Sequence, residues 1–331
     1  MGKALTRSAT STILSAESAA TQARSRNWTR GPEKNSLKPS KRQRRAAAAF
    51  IFPAAAVLTI VTLGPLLYSL FVSLTGWILT VPGSDSKFVG LENYRSVLTS
   101  APFWNALQVT FTYAVSTTAI EMVLGVIFAL MLNQQFIGRG VIRGLMLIPL
   151  VLTPAAVGMF WKLLFDEQQG VYNFFLVSLG FDRVHWLSHG MALFSCVITD
   201  VWQSTPFLML IVLAGLHAMD QEMIEAAKID GAGNAQIFRY LTVPHLLPYL
   251  VIGMFFRLLD AMKDFDKIYL LTQGGPGNET ETLSIYIYDT GFKVFEVGKT
   301  SSMAWLMALI SLVVFLPLLW AFGKQLSAES R

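Results

Sequence analysis

The feature that most constrains this chain is a series of apolar stretches, each long enough to cross a lipid bilayer as a helix. A membrane-spanning helix needs about 20 consecutive, mostly apolar residues. Charged residues make up only 14% of the chain, whereas soluble domains carry about 25%, and this deficit also indicates a membrane protein. We therefore predict an all-α polytopic membrane protein with six transmembrane helices. The predicted spans lie near residues 47–75, 105–133, 142–165, 190–215, 244–271 and 300–322.

The first 45 residues differ in composition from the rest of the chain. They hold 11 of the 26 Lys and Arg residues, only two acids, and few large apolar side chains. Such a segment cannot bury enough apolar surface to fold, so residues 1–45 are predicted to form a disordered basic cytoplasmic tail. Their composition also fits a transit peptide. A transmembrane domain over 46–325 and a short cytoplasmic C-terminus over 326–331 complete the predicted organisation.

Lys and Arg residues beside the spans predict how the chain is oriented. Short loops rich in these residues stay in the cytoplasm. The basic segment 38–45 precedes the first span, and Arg139 and Arg143 follow the second span with no acid between them. Both chain ends are therefore predicted to be cytoplasmic. The loop 216–243 must then be cytoplasmic too, yet it carries more acids than bases, so another requirement must shape it.

The loop 216–243 has its own helix signals. Asp220 can cap the start of a short helix, Gly231 can end it in the left-handed conformation, and Asn234 can cap a second short helix. Pro244 is acceptable in the first turn of the fifth span. An amphipathic connector on the membrane surface is the alternative interpretation, but such helices are normally basic because the inner leaflet is anionic. A helix–turn–helix that docks a protein partner is therefore favoured.

Several stretches resemble one known family. The sequence EAA at 225–227, Gly231 and the sequence LTVP at 241–244 resemble the EAA loop of ABC importer permeases. Residues 88–98, 145–173 and 270–292 are similar to carbohydrate-uptake permeases of the maltose and glycerol-phosphate type. The resemblance implies a type I ABC importer permease fold and a loop that forms the coupling helix docked on the ATPase. The implied ATPase-coupling residues are Glu225, Ala226, Ala227, Gly231 and Pro244.

The resemblance also implies partners and a location. The implied partners are a second homologous permease subunit, two ATPase subunits, an external or periplasmic solute-binding protein, a sugar substrate and membrane lipid. Nucleic acid is not an implied partner. The implied location is the bacterial cytoplasmic (inner) membrane, with multiple passes. No cofactor is expected in this chain, because ATP and Mg would be bound by the partner ATPase.

Charged residues inside the predicted spans mark a candidate site. Ionisable groups in a membrane are costly and usually face a bundle interior or a wet cavity. Arg257, Asp260 and Asp264 fall on one side of the fifth span, where they either neutralise one another together with Lys263 or form the wall of a translocation cavity. Glu121 is a lone acid in the second span, and a structural hydrogen bond is the favoured role for it.

The resemblance implies a sugar site on the helices before and after the EAA loop. An arginine suits oxyanions, so Arg257 favours a substrate that carries a negative charge. The implied substrate-binding residues are Asp200, Gln203, Ser204, Phe207, Arg257, Asp260, Ala261 and Asp264.

Two functions fit these patterns. The first is the permease subunit of an ATP-driven, binding-protein-dependent importer of a sugar or an acidic sugar derivative, working by alternating access. The second is a proton-coupled secondary transporter that uses intramembrane carboxylates. No catalytic arrangement is recognisable, so an enzyme is not expected. The sequence VGKT at 297–300 is not a P-loop, because Lys293 stands where the motif needs glycine, and the four histidines form no metal-binding motif.

Overall fold

The computed structural model describes residues 41–329, which form thirteen α-helices. The helices are α1 (Lys41–Ser73), α2 (Glu92–Leu98), α3 (Ala101–Asn133), α4 (Arg139–Val151), α5 (Pro154–Leu164), α6 (Val171–Ser178), α7 (Ala192–His217), α8 (Gln221–Ile229), α9 (Asn234–Ile237), α10 (Val243–Met262), α11 (Asp266–Thr272), α12 (Leu283–Phe292) and α13 (Val297–Glu329). Within these residues the only β-type pairing is a single bridge between Thr75 and Phe88. The all-α prediction is therefore confirmed.

The membrane-spanning helices agree with the predicted number. Five helices are long and apolar enough to cross a bilayer, and the bent pair α4 and α5 makes a sixth crossing if it counts as one span. The chain divides into two compact units between Pro65 and Leu66, inside α1. The ion-pairing residues, the cavities and the loop 216–243 all lie in the second unit.

The ends of the described chain differ from the predicted boundaries. Helix α1 begins at Lys41, so the last five residues of the predicted tail are helical, whereas residues 1–40 lie outside the described part. At the other end α13 continues to Glu329 without a break at 325. The last two residues of the predicted cytoplasmic C-terminus also lie outside the described part.

The predicted third span, 142–165, is not one straight helix. Helices α4 and α5 meet at a bend of 100°. A residue before proline is pushed towards extended conformations, and Thr153, which precedes Pro154, has φ −66° and ψ 140°. Proline is then well suited to start the next helix. The Thr-Pro step thus breaks the span.

The predicted fifth span, 244–271, is also divided. Helix α10 ends at Met262 and α11 begins at Asp266. Neither glycine nor proline occurs at the junction, so the sequence gives no breaker signal there. The junction lies beside the buried charged residues described below.

Helices α3 and α7 form the centre of the second unit. Gly125 of α3 makes their close approach possible, because a Cβ atom at this position would lie 2.9 Å from the Cβ of Leu208. Around this pair, Tyr113, Trp161 and Ile268 belong to one buried apolar cluster contributed by α3, α5 and α11. The central pair therefore supports the helices that carry the polar residues of the site.

Candidate functional site

A buried group of charged side chains joins four helices. We call it the ion cluster and define it as Glu121, Asp200, Arg257, Asp264 and Lys267. Glu121 and Asp200 are completely buried, and Arg257 is only 3% exposed. The cluster brings together α3, α7, α10 and α11 with the short α10–α11 junction.

Arg257 is at the centre of the ion cluster. Its Nη2 donates to Asp200 Oδ2 at 2.6 Å and to Glu121 Oε1 at 3.0 Å. Its Nε donates to the other oxygen of Glu121, so that this pair is bidentate, and its Nη1 donates to Asp260 Oδ2 at 3.2 Å. A guanidinium has five N–H donors. Four of them are therefore engaged by carboxylates.

The remaining contacts of the ion cluster are made around Lys267. Its Nζ is paired with Asp200 and lies 2.9 Å from Asp264 Oδ2. Tyr113 donates its hydroxyl to the same oxygen of Asp264 at 2.8 Å, and Ser204 donates to Asp200 Oδ1 at 3.1 Å. Each buried carboxylate thus has a cationic partner, which is the condition under which buried charges are tolerated.

The ion cluster corrects the pairing predicted from sequence. Glu121 is not a lone acid, because it forms the bidentate pair with Arg257, although the expected structural hydrogen bond is present. Asp260 does pair with Arg257, but it is 70% exposed and the weakest of the three carboxylate partners by distance. Lys263 has no acid within 4.0 Å among the described residues. The charged residues of the fifth span therefore do not neutralise one another alone, because most ion pairs of the cluster join different helices.

A cavity of about 300 Å³ adjoins the ion cluster. Four of the eight predicted substrate-binding residues line it, namely Ser204, Phe207, Arg257 and Asp260. The lining residues that the sequence did not single out as substrate contacts are Leu150, Phe256, Leu259 and Lys263. Of these four residues, only Lys263 could be identified from the sequence, because it is a charged residue in a largely apolar segment.

The other four predicted residues lie away from the cavity lining. Asp200 and Asp264 belong to the ion cluster, and Ala261 is buried in the apolar core. Gln203 is buried and donates from Nε2 to the backbone oxygen of Leu152 at 2.9 Å, which holds the α4–α5 bend. Its Oε1 has no hydrogen-bond partner within residues 41–329.

The cavity combines polar groups with aromatic surfaces. The Lys263 ammonium can donate hydrogen bonds, the Ser204 hydroxyl can donate or accept them, and the Asp260 carboxylate can accept them. Phe207 and Phe256 add aromatic surface from α7 and α10. Such a lining, mostly apolar with a few polar groups, is typical of small-molecule sites. It suits a ligand that has both hydroxyl groups and apolar C–H faces.

A second candidate site is the loop 216–243, in which α8 forms the predicted short helix. Asp220 accepts a hydrogen bond from the backbone N–H of Glu222 at 2.9 Å, so the predicted N-cap is present. Gly231 has φ +83°. The N–H groups of Gly231 and Ala232 donate to the carbonyls of Lys228 and Ala227, which completes a Schellman motif.

The second half of the loop differs from the prediction. Gly233, not Asn234, occupies the N-cap position of α9, and its N–H donates to Gln236 Oε1 at 2.8 Å. Helix α9 continues through a π-helical turn, Phe238–Thr242, into α10. There is therefore no separate second helix, and Pro244 lies in the first turn of α10, as predicted.

The surface of the loop is open. No residue of α8 is buried, and the Ile229 side chain at its end is 86% exposed. A cavity of about 400 Å³ lies within the loop itself, and Ala227 and Gly231 are among its lining residues. Of the other predicted coupling residues, Glu225, Ala226 and Pro244 are exposed. An exposed apolar side chain beside small residues allows a partner to approach closely.

Comparisons with known proteins agree on one family. A model of the family described as binding-protein-dependent transport system inner membrane component matches residues 121–323. A probable ABC transporter permease protein, y4oQ, of Sinorhizobium fredii is 53% identical over 85% of this chain and 91% of the relative. The trehalose/maltose transport system permease protein MalF of Thermococcus litoralis is 36% identical over 77% of this chain and 87% of the relative.

A solved structure supports the fold. It is the crystal structure of a bacterial ABC transporter involved in the import of the acidic polysaccharide alginate. One of its chains superposes with a TM-score of 0.75 at 20% identity, over 86% of this chain and 96% of that chain. At this identity the likeness shows the architecture, which is that of a type I importer permease.

Proposed function

This chain belongs to the family of binding-protein-dependent transport system inner membrane components, and from that premise we propose that it is the permease subunit through which an ATP-driven importer carries a sugar. Family membership establishes a multi-pass transporter permease. The sugar is proposed because the trehalose/maltose permease is similar over most of both chains, and because the cavity offers groups suited to a sugar.

The cavity beside the ion cluster is proposed as this chain's part of the translocation path. The observation that carries the proposal is that Ser204, Phe207, Arg257 and Asp260, from two helices on either side of the loop 216–243, line one cavity. Sugar hydroxyls can bind to Ser204, Asp260 and Lys263, while the apolar ring faces can lie against Phe207. Alternating access would open this cavity to each side of the membrane in turn.

The contacts of Arg257 favour a neutral sugar over an acidic derivative. An arginine suits an anionic substrate, but three carboxylates already surround Arg257. An anionic group would have to displace one of them and would meet the remaining negative charges. Lys263 can still donate to a neutral hydroxyl. The proposed substrate is therefore a neutral sugar with several hydroxyl groups.

The loop 216–243 is proposed as the coupling element. We infer that Glu225, Ala226, Ala227, Gly231 and Pro244 belong to a surface that docks on an ATPase subunit, where ATP and Mg are bound. The proposed complex contains a second homologous permease, two ATPase subunits and an external solute-binding protein. The loop and both chain ends are proposed to face the cytoplasm, and this chain is proposed to bind no cofactor.

A proton-coupled secondary transporter is not supported. The family is binding-protein-dependent, and the three carboxylates of the ion cluster, Glu121, Asp200 and Asp264, are each paired with Arg257 or Lys267. A proton carrier needs a carboxylate that can be released from its partner at low cost. The ion cluster instead favours permanent pairing.

Sugar uptake by cavity variants tests the proposal. Asp260→Asn and Phe207→Ala should each lower uptake roughly 5- to 30-fold, since each removes a proposed contact worth about 1–2 kcal/mol. Membrane abundance should stay at the wild-type level. Phe174→Ala is a matched control, because Phe174 is equally apolar and 69% exposed on α6. Wild-type uptake by both cavity variants would reject the cavity as the sugar path.

A further inference from the structure

We propose that a groove between α3, α4 and α7 is a binding site for one anionic phospholipid. We call it the lipid groove. It has a volume of about 440 Å³ and is separate from the proposed sugar cavity. Ten residues line it, among them Ile142 and Leu145 of α4 and Trp202 and Thr205 of α7.

The lining of the lipid groove suits an acyl chain. Nine of its ten residues are apolar or aromatic, and Thr205 already donates its hydroxyl to the backbone oxygen of Val201 at 2.6 Å. The α4 wall is open to the surroundings, with Leu145 60% and Ile142 43% exposed. These residues lie in membrane-spanning segments, where exposed apolar walls are filled by hydrocarbon.

Two arginines lie at one end of the lipid groove. Arg139 and Arg143 are one helical turn apart at the start of α4, and Ile142 of the lining lies between them in sequence. Neither arginine has an acid within 4.0 Å among residues 41–329. Arg139 Nη2 instead lies 3.2 Å from His217 Nε2, at the end of α7. Two uncompensated guanidinium groups thus stand next to an apolar groove.

This combination matches an anionic phospholipid better than a protein helix. Guanidinium groups bind phosphate oxygens with well-matched geometry, and basic residues at the membrane surface attract anionic lipids. A single phospholipid supplies both a phosphate and an acyl chain. A helix of another subunit would have to bring an acid to each arginine as well as an apolar face.

Quenching of Trp202 by brominated lipids tests the proposal. The full chain is purified with its co-expressed partner subunits, stripped of lipid in detergent, and titrated with phosphatidylglycerol or phosphatidylcholine brominated in one acyl chain. Trp202 lines the groove, so it should be quenched by the anionic lipid at a concentration at least roughly tenfold lower than by the zwitterionic one. Trp202→Phe should remove this part of the signal.

Arginine variants identify the headgroup site. Arg139→Gln together with Arg143→Gln should abolish the preference for phosphatidylglycerol, whereas Arg183→Gln, in an exposed loop, should keep it. Equal quenching of the unmodified chain by both lipids would overturn the anionic headgroup. No Trp202 quenching by either lipid would mean that another subunit fills the groove, which would also overturn the proposal.

Discussion

At the scale of single residues, the pairing of Arg257 decides how the site is built. The guanidinium is nearly fully buried against Glu121 and Asp200, whereas its third partner, Asp260, is 70% exposed. Removing one partner of a buried ion pair leaves an uncompensated charge, which is far more costly than losing an exposed pair. The two kinds of pairing at Arg257 should therefore respond differently to mutation.

Arg257→Leu is expected to lower the free energy of unfolding by about 3–5 kcal/mol, because Glu121 and Asp200 would remain buried near each other without this cation. Asp260→Asn removes an exposed partner and should cost about 1 kcal/mol or less. Thermal unfolding of both variants in the same detergent measures the difference. The double change Glu121→Leu with Arg257→Leu should be more stable than Arg257→Leu alone. Equal stability of Arg257→Leu and Asp260→Asn would contradict the account.

Only part of this site is predictable from the sequence, for a physical reason. Charges in apolar segments are rare and costly, and this property alone singles out Arg257, Asp260 and Asp200. The partner of Arg257 cannot be found in the same way, because Glu121 is 136 residues away and nothing in a helical pattern fixes which helices become neighbours. Local spacing favours Asp260, which is the exposed partner.

At the scale of elements, Gly231 controls how α8 ends. Its φ of +83° is in the left-handed region, whereas Gly233, two residues later, has φ −73°. A Cβ in the left-handed region costs roughly 1–2 kcal/mol. Gly231→Ala should therefore misplace the loop 216–243 and, if this loop is the proposed coupling element, lower sugar-stimulated ATP hydrolysis by the complex, while Gly233→Ala should leave the hydrolysis unchanged. Full hydrolysis in Gly231→Ala would show that the position of this loop is not required.

The α4–α5 bend depends on Gln203 as well as on Pro154. The Gln203 side chain donates to the free carbonyl of Leu152 at 2.9 Å. Gln203→Leu would remove this partly buried hydrogen bond, at an expected cost of about 0.5–1.5 kcal/mol in the free energy of unfolding. Gln134→Leu at the exposed end of α3 is the control and should change stability little. Equal melting temperatures for the two variants would contradict this role of Gln203.

Predictability at the scale of elements follows the strength of local signals. The apolar runs predict six crossings because bilayer thickness sets helix length. Asp220 and Gly231 correctly mark the ends of α8, since capping depends on nearby backbone groups. The break between α10 and α11 has no such signal. It lies where Lys267 and Asp264 meet Asp200 and Tyr113, so tertiary contacts accompany it.

At the scale of the whole molecule, the single helix α7 separates two loops that must lie on opposite sides of the membrane. In a Cys196→Ala background, Asp182→Cys before α7 should react with an impermeant thiol reagent added outside intact cells. Asn234→Cys after α7 should react only after permeabilisation. Both positions are exposed, and Cys196 is buried. Labelling of Asn234→Cys alone in intact cells would reverse the predicted orientation and exclude docking on a cytoplasmic ATPase.

The identity of the sugar is a property of the assembled molecule that helical patterns do not fix. Specificity in such sites depends on a few polar groups placed to fractions of an ångström. Only half of the predicted contact residues line the cavity. Asp200 and Asp264 are paired within the ion cluster, Gln203 is bonded to Leu152, and Ala261 is in the apolar core. A charge in a span marks a site, but its orientation depends on the neighbouring helices.

The most direct test of the central claim is the energy source of sugar uptake by the reconstituted complex. The full chain is placed in proteoliposomes with its partner permease, ATPase subunits and binding protein, and accumulation of a labelled neutral sugar that the binding protein binds is followed. Uptake should require ATP and the binding protein and should persist when a protonophore removes the proton gradient. Uptake driven by an imposed proton gradient, without ATP, would contradict the account.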